Sequence, residues 1–551
     1  MAAKLEKELQ EFIQYRNAYF MAFSVATGFL SFGWDGGMLG GILALPSFQK
    51  YFGLLSESAS VRATSSGNIA SATLAGALFG SLSSSYFSSR FGRKPTLLAS
   101  AVISIVGSII QATVGIGISP HARLQVLYFS RIFGGVGIGS SAAAMSSYIP
   151  ECAPRTIRGR CQGSIAVAAA LGNMLASLCS TSHQGKCSGA CHSLPSIIPG
   201  ALFLFLMLFQ PESPRWLVER GRYEEAAAVL AYIARKDPSD DAVVLTLSEI
   251  RADFVGRHNL SLLAQIRKMG ESKTIALRCI IPSLAMLFQQ WCGSFAISFY
   301  TPQIFASLGL SPTLTLLTTG ILGVVKFIVA CITFTFIIDN WGRKKPLIYG
   351  GIVQGLMMLW IGGYAGAHHD QRVVPATYIS VVAIFLYSIS FGFGWGFAPQ
   401  VLSSEVAPGH LRTVVMSLAS AMIWVFTYVI AEITPIILER MAYGTYLVFG
   451  VISFIMAAWV YVFIPETTGY PLEDIKYLFE KDIIVRSLED APGGWIFLGK
   501  RRATTVHELK AMNACSTDSS KEVWKEFMSH SREESAQGHS LSSQKPDGHI
   551  I

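Results

Sequence analysis

The segment ECAPRTIR at residues 151–158 is repeated in pattern by EVAPGHLR at residues 405–412. The glutamate, the proline and the arginine of the two segments are each 254 residues apart, and each segment follows a long apolar run. Two further motif pairs follow equivalent runs: GRK at residues 92–94 and 342–344, and PES and PET at residues 211–213 and 465–467. Three pairs at nearly one spacing predict that the chain is built from a duplicated unit.

The composition indicates a membrane protein. Hydrophobic residues make up 51% of the 551 residues and charged residues only 14%, whereas a soluble domain carries about 25% charged residues. An apolar run of about 20 residues is long enough to cross ~30 Å of hydrocarbon. Twelve such runs predict transmembrane spans 1 to 12, in order, at residues 20–44, 68–88, 96–117, 124–148, 162–182, 193–210, 277–300, 314–338, 346–366, 375–402, 413–436 and 443–464, of which the sixth is short.

The positions of Lys and Arg predict the orientation of these spans. If the N-terminus is cytoplasmic, the cytoplasmic segments hold 34 of the 43 Lys and Arg residues and the outer loops hold 6. Basic residues accumulate on the cytoplasmic side of membrane proteins, so both termini are expected in the cytoplasm. Residues 1–17 are charged and lack the apolar core of a cleavable signal peptide. The net charge of +8 then faces the membrane surface, and no nucleic-acid partner is expected.

The chain divides into five segments. In order, they are a cytoplasmic N-terminal segment (1–19), a first six-helix bundle (20–210), a charged cytoplasmic helical insert (211–275), a second six-helix bundle (276–464) and a cytoplasmic tail, largely disordered (465–551). The predicted fold is an all-α membrane protein with twelve transmembrane helices in two pseudo-symmetric six-helix bundles. Such repeats suit a carrier whose central site opens alternately to the two sides of the membrane.

These motifs resemble those of the major facilitator superfamily and, within it, the sugar porter family. The resemblance covers residues 20–475. Its most specific parts are the repeated motifs above, PESPRWLVERGR at 211–222, SRIFGGVGIG at 130–139 and PETTGYPLEDI at 465–475. FGWDGGMLGG at 32–41 and TTGILGVVKF at 318–327 look most like fungal sugar porters of the hexose and quinate type.

The resemblance implies a secondary active transporter that moves a sugar or sugar-like hydroxylated solute by alternating access. It further implies proton symport, a monomer, and a place in the plasma membrane lipid bilayer. Two alternatives stay open: a transporter of quinate or another polyol or hydroxy acid, and a non-transporting nutrient sensor with the same fold. The sequence contains no catalytic constellation typical of an enzyme, and we expect neither a metal site nor another cofactor.

The motifs that follow the spans place acids and arginines at helix ends, where they can pair across neighbouring helices. By resemblance to the family, such pairs form charge networks that close the cytoplasmic mouth in one state and break in the other. The predicted network residues are Arg93, Glu151, Arg158, Glu212, Arg215, Asp339, Arg343, Glu405, Arg412 and Glu466. The alternative is that the arginines only anchor the cytoplasmic ends of the spans.

Charged residues inside the spans are rare and usually functional. Asp35 lies in the glycine-rich span 1 and Arg131 in span 4. By the resemblance, Asp35 takes up and releases the coupled proton beside Arg131, and the alternative is a fixed ion pair without proton movement. Lys326 lies about midway through span 8, and we expect it to form a structural ion pair with Glu432 of span 11. The alternative for this lysine is an anion-binding site for a hydroxy acid such as quinate.

Two adjacent amides, Gln289 and Gln290, interrupt the apolar span 7. Amides both donate to and accept from hydroxyl groups, and aromatic rings cover the apolar face of a sugar ring. Together with the resemblance, this predicts the substrate-binding residues Gln289, Gln290, Phe295, Tyr300, Trp395, Gln400, Trp424, Thr427 and Ala166. The alternative is that the two amides only bond one helix to another.

Four of these positions depart from the family pattern. Phe295 and Thr427 stand where the pattern has asparagine, Ala166 stands in place of glutamine, and Gln400 stands in place of tryptophan. Each lost buried hydrogen bond costs about 1 kcal/mol. A pocket tuned for glucose is therefore not expected, and a different polyol, a cyclic hydroxy acid or a more apolar metabolite fits better.

Overall fold

The computed structural model describes residues 13–114, 119–154, 157–182, 195–255, 262–334, 341–367, 374–409, 411–441, 443–468, 475–480, 484 and 487–488. Over these ranges the chain forms helices and no β-strand. The predicted all-α fold class is confirmed.

Each predicted span corresponds to one helix or to two consecutive helices. In chain order, spans 1 to 12 are Arg16–Ala44, Ala59–Phe91, Arg93–Thr113, Pro120–Cys152, Arg158–Ser182, Ile197–Leu208, Lys273–Trp291 with Ser294–Ser307, Pro312–Ile332, Lys344–Ala367, Pro375–Phe393 with Ala398–Val406, Arg412–Met441 and Tyr443–Phe463. The shorter helices between and after them are Pro46–Tyr51, Pro214–Glu219, Tyr223–Ala234, Asp241–Val255, Leu262–Met269 and Ile475–Glu480.

Nine of the described helices are long and apolar enough to cross a membrane, and spans 1, 2 and 6 are not among these nine. Span 6 forms only 12 helical residues, which agrees with its short apolar run. Span 2 is rich in Ser, Ala and Gly, so its mean hydropathy is low. Its small residues have a packing role, because they let a neighbouring helix approach closely.

Glycines bring pairs of helices together at backbone distance. A Cβ atom at Gly139 of span 4 would lie 1.9 Å from the carbonyl oxygen of Ala77 in span 2. A Cβ atom at Gly33 of span 1 would lie equally close, at 1.9 Å, to the carbonyl oxygen of Ala169 in span 5. Only glycine fits at such distances. Van der Waals contact between small residues is what holds helices together in lipid, where no hydrophobic drive acts between them.

The twelve spans pack as two groups of six. In the first group, span 1 contacts spans 5 and 6, and span 4 contacts spans 2 and 3. In the second group, span 9 contacts spans 10 and 12, and span 7 contacts spans 10 and 11. The two groups meet where span 2 contacts span 11, span 5 contacts span 8, and span 1 contacts the second helix of span 7. Any central site is therefore formed by both halves of the duplicated sequence.

Spans 7 and 10 are each broken at glycine. Gly293, with a φ of +90°, separates the two helices of span 7 three residues after Gln290. Span 10 is interrupted between Gly394 and Phe397. A broken transmembrane helix leaves backbone groups free to bind polar side chains or solutes, so the two breaks are candidate positions for a polar site.

The two groups of helices also contact each other through particular side chains. On the predicted outer side, Ser71 Oγ of span 2 donates to Glu432 of span 11 at 2.5 Å. A Cβ atom at Gly67, one turn earlier, would lie 2.9 Å from the Glu432 carbonyl oxygen. On the predicted cytoplasmic side, a Cβ atom at Gly163 would lie 2.5 Å from the ring of Phe334. Contacts between the two halves thus occur on both sides of the centre.

We expect Gly139→Ala to destabilise the protein, because the added methyl group would overlap the Ala77 carbonyl oxygen and force spans 2 and 4 apart. Overpacking of this kind costs about 1–3 kcal/mol, so the melting temperature of the purified protein in detergent should fall by several degrees. Gly363→Ala in span 9 is the matched control, since a Cβ atom there would meet no atom of another described helix within 4 Å. Equal melting temperatures for the two variants would contradict the packing argument.

Candidate functional site

A chain of hydrogen-bonded amides lies at the breaks of spans 7 and 10. Gln289 Nε2 donates to the carbonyl oxygen of Trp395 at 2.7 Å. Gln290 Nε2 donates to Gln289 Oε1 at 3.4 Å, and Gln290 Oε1 accepts from Thr427 Oγ1 of span 11 at 3.0 Å. Both glutamines are buried. In this structure the amides bond helix to helix, and they join spans 7, 10 and 11 at one point.

Aromatic rings from both groups of helices meet in a cluster formed by Phe32, Phe295 and Trp424. The centroid of the Phe32 ring of span 1 lies 6.2 Å from that of Phe295 in span 7 and 5.5 Å from that of Trp424 in span 11. Phe32 and Phe295 are partly exposed. Trp424 and Thr427 lie one turn apart on the same helix face, so this aromatic cluster continues the amide chain. The sequence prediction missed Phe32, although its place one turn before Asp35 could have indicated it.

Two predicted substrate contacts instead join helices in this structure. Trp395 is fully buried, and its Nε1 donates to the carbonyl oxygen of Leu347 in span 9 at 2.9 Å. Tyr300 is buried, and its hydroxyl donates to the carbonyl oxygen of Ala431 in span 11 at 2.9 Å. The remaining two predicted contacts are the half-buried Ala166 of span 5 and the exposed Gln400 of span 10. The structure therefore brings together Gln289, Gln290, Thr427, Phe295 and Trp424.

The structure places Asp35 and Arg131 in direct contact. Arg131 Nη2 lies 2.9 Å from Asp35 Oδ2, and Arg131 Nε donates to the carbonyl oxygen of Ile69 at 2.6 Å. The arginine side chain is 2% exposed, whereas the aspartate side chain is 20% exposed. The arginine is thus held from two directions, while the carboxylate keeps one face open.

A polar cavity adjoins this ion pair inside the first group of helices. Hydroxyl and amide groups line it, from Ser31, Thr73, Ser104, Ser108, Gln111 and Ser196. Groups of this kind hold water in protein interiors. The cavity therefore provides a polar environment on the open face of the carboxylate.

The repeated motifs form two matching charge networks, one in each half. In the first, Arg93 Nη2 lies 2.9 Å from Glu151 Oε1, and Ser213 Oγ donates to Glu151 at 2.5 Å. Glu212 accepts hydrogen bonds from the backbone N–H groups of Arg93 and Lys94 at the start of span 3. A carboxylate is favourable there because it faces the positive end of the helix dipole.

The second network repeats this arrangement residue by residue. Arg343 Nη2 lies 2.9 Å from Glu405 Oε1, and Thr467 Oγ1 donates to Glu405 at 2.6 Å. Glu466 accepts from the backbone N–H groups of Arg343 and Lys344 at 3.0 and 3.1 Å. Each of these pairs lies within its own group of helices.

The glycine before each arginine has a steric reason that the sequence did not reveal. Gly92 and Gly342 adopt φ angles of +110° and +80°, which favour glycine. A Cβ atom at Gly92 would lie 2.4 Å from a carboxylate oxygen of Glu212, and one at Gly342 would lie 2.5 Å from a carboxylate oxygen of Glu466. The acid can reach the helix N-terminus only because no side chain is in its way.

Three other predicted network residues lie at the starts of spans 5 and 11 or in the short helix after span 6. Arg158 and Arg412 begin spans 5 and 11, and Arg215 lies in the short helix after span 6. Asp339 lies outside the described residues.

Burial raises the pKa of the Glu212 carboxyl, and the backbone N–H groups of Ser213, Lys94 and Arg93 oppose this rise.

Comparison with known proteins identifies the family. The family model described as "Sugar (and other) transporter" matches residues 21–479. The chain belongs to this sugar transporter family. The transporter is 30% identical over 473 residues to a quinate permease from Neurospora terricola, with 81% of this chain and 86% of the permease covered. It is also 30% identical over 473 residues to the MFS-type transporter qa-x from Neurospora crassa, with the same two shares covered.

Solved structures show the same fold. XylE from E. coli, in a partially occluded inward-open conformation, matches with a TM-score of 0.69 at 23% identity over 83% of this chain and 100% of that chain. The proton:xylose symporter XylE bound to 6-bromo-6-deoxy-D-glucose also matches with a TM-score of 0.69, at 24% identity over 85% of this chain and 100% of that chain. This transporter therefore has the major facilitator fold and is a multi-pass integral membrane protein.

The transporter does not bring Lys326 and Glu432 together as an ion pair. Lys326 Nζ donates to Ser298 Oγ of span 7 at 3.0 Å, whereas Glu432 accepts from Ser71 of span 2. The two charges therefore contact different helices. The sequence could place each charge at a depth in the membrane, but the side on which each projects depends on helix rotation.

We expect Glu151→Gln to lower the melting temperature of the transporter by several degrees, since it removes the carboxylate that binds both Arg93 and Ser213. Removing one partner of a partly buried charge pair costs about 1–3 kcal/mol. Glu219→Gln is the matched control, because Glu219 lies 3.9 Å from the same arginine and is one-third exposed, so its loss should change the melting temperature by less than about 1 °C. A larger effect at Glu219 than at Glu151 would contradict the assignment.

Proposed function

We propose that this protein is a proton symporter that carries a hydroxylated solute, a polyol or a cyclic hydroxy acid, across the plasma membrane, with both termini in the cytoplasm. The observation that supports this most directly is the contact between Asp35 and Arg131 in a polar cavity. That ion pair lies one turn along span 1 from Phe32, which belongs to the aromatic cluster. Proton site and solute site are thus adjacent on one helix.

The solute site lies between the two halves of the protein. Its amides at Gln289 and Gln290 have hydrogen-bonding groups that suit solute hydroxyls, and the rings of Phe295 and Trp424 suit the apolar face of a small ring. Binding would exchange the weak bond between the two amides, 3.4 Å long, for bonds to the solute. The names of the relatives, a quinate permease and a proton:xylose symporter, support a solute of this class.

The charge of Asp35 can couple proton uptake to the movement of the two halves. When Asp35 is ionised, it holds Arg131, which also binds the backbone of span 2 at Ile69. Protonation of Asp35 weakens this ion pair, so spans 1 and 4 become free to shift relative to each other. Because span 1 contacts span 7 of the other half, the proton can change how the two halves meet.

Alternating access requires contacts that break in one state and form in the other. In the present state Glu432 binds Ser71 across the two halves, and the Arg93–Glu151 and Arg343–Glu405 pairs each join helices of the same half. We propose that the Glu432–Ser71 contact breaks when the solute site opens outward. The arginines of the networks would then be available to acids of the opposite half.

Uptake of labelled quinate, inositol, xylose and glucose by a yeast strain without its own transporters tests the proposal, with and without a proton gradient. We expect at least one hydroxylated solute to accumulate, and only with the gradient. If the protein reaches the plasma membrane and none of these solutes enters, the carrier proposal fails and a nutrient sensor that signals through residues 465–551 takes its place.

Asp35→Asn should abolish accumulation against a gradient, because an amide cannot carry the proton. Exchange of solute at equal concentrations on both sides should persist, since it needs no net proton movement. Wild-type uptake should rise as the external pH falls, and uptake by the variant should not. Asp240→Asn in the insert is the control, because the Asp240 carboxylate binds Lys236 and the backbone N–H of Ala242 within the insert itself. Gradient-driven accumulation by Asp35→Asn at the wild-type level would exclude Asp35 as the proton site.

A further inference from the structure

Lys326 is a charge in the middle of span 8 that the transport scheme above does not use. Its Nζ donates to Ser298 Oγ at 3.0 Å. Among the described residues, no carboxylate lies within 4 Å of this nitrogen. The acid expected to neutralise it, Glu432, binds the opposite half of the protein at Ser71. The protein thus keeps an ammonium group at membrane depth with a hydroxyl as its hydrogen-bond partner.

An ammonium group with one hydroxyl as its partner is unfavourable at membrane depth unless a further ligand binds it. A charge in the bilayer interior needs an opposite charge or several hydrogen bonds to offset its lost hydration. An ammonium has three N–H donors, and the hydroxyl of Ser298 accepts from one of them. Ser298 accepts from the lysine, and among the described residues its own O–H has no acceptor, so it is available to donate. The pair therefore presents N–H and O–H donors together with a positive charge, which suits a carboxylate.

The position of this pair connects it to the solute site. Ser298 lies one turn after Phe295, which belongs to the aromatic cluster shared by both halves. Gly323 lies one turn before Lys326, and a Cβ atom there would lie 3.1 Å from the Cα atom of Met174 in span 5. The lysine side chain is partly exposed. The pair therefore lies near the junction of spans 5, 7 and 8, where the two halves meet.

We propose that Lys326 and Ser298 bind the carboxylate of the transported solute, so that the solute class is a hydroxylated monocarboxylic acid rather than a neutral sugar. This inference rests on the proposed function and adds the specificity-determining residue to it. The carboxylate accepts from Lys326 Nζ and Ser298 Oγ. The hydroxyls of the same molecule then reach the amides of span 7, and its ring lies against Phe295.

The proposal has an electrical consequence. A monocarboxylate that crosses together with one proton moves no net charge, whereas a neutral sugar that crosses with one proton moves one positive charge. Uptake of the acid into proteoliposomes should therefore be insensitive to a membrane potential set with potassium and valinomycin, although it depends on the pH gradient. Uptake of quinate that follows the membrane potential would contradict one-proton symport of an anion.

The decisive measurement is the affinity of the purified full-length protein for three probes: quinate, its uncharged methyl ester and inositol. We expect wild-type protein to bind quinate at least about tenfold more tightly than the ester. Lys326→Met should remove this preference without weakening the binding of the ester, and Lys326→Arg should retain part of it. Ile328→Met is the control, since Ile328 is an exposed residue of the same span, and it should bind quinate as the wild type does.

Each outcome separates this inference from the proposed function. If Lys326→Met does not fold, the comparison of quinate with its ester on wild-type protein still decides whether the protein recognises the carboxylate. If wild-type protein binds the ester or inositol as tightly as quinate, or if Lys326→Met keeps quinate affinity within twofold, the carboxylate site is excluded and the carrier of hydroxylated solutes remains. If no polyol, sugar or hydroxy acid is bound or carried, the proposed function itself fails.

Discussion

The bilayer interior offers no water to a polar group, so every amide and charge at that depth needs a partner from the protein or from the solute. This constraint explains most of the polar contacts inside the spans. Arg131 is bound by Asp35 and by the Ile69 carbonyl oxygen, and Gln289 by the carbonyl oxygen at the break of span 10. Where such a partner comes from another helix, the contact also sets how two helices are placed relative to each other.

The same constraint makes incomplete contacts informative. Asp35 keeps one face toward a polar cavity, and Lys326 has a hydroxyl where a carboxylate would be expected. The amide bond between Gln290 and Gln289 is long. These three places lie along spans 1, 7 and 8, where the two halves of the molecule meet. A carrier needs polar groups with incomplete hydrogen bonding, because a group that already has all its partners within the protein gains no free energy from binding a solute.

Duplication gives the protein its symmetry on the predicted cytoplasmic side. The acid that binds a helix N-terminus, the arginine beside it and the glycine before that arginine occur twice with almost the same distances. The central part is different, since span 1 carries the acid Asp35 and span 7 the amide Gln289 at the equivalent position. Both halves thus contain the charge network that holds helices together. The proposed proton site at Asp35 lies in the first half, and the proposed solute-binding amide Gln289 lies in the second.

The number of spans, the all-α class and the duplicated plan followed from the sequence, because apolar length and motif spacing are properties of the chain alone. So did the pairing of Asp35 with Arg131, since an unpaired charge inside the membrane is costly and an ion pair between neighbouring spans lowers that cost. The partners of Lys326, Glu432, Trp395 and Tyr300 did not follow, and neither did the place of Phe32 in the aromatic cluster. Those depend on the rotation of each helix about its axis and on the breaks in spans 7 and 10. Only the packing of all twelve helices sets them, because a rotation of one residue, about 100°, turns a side chain from the centre to another neighbour.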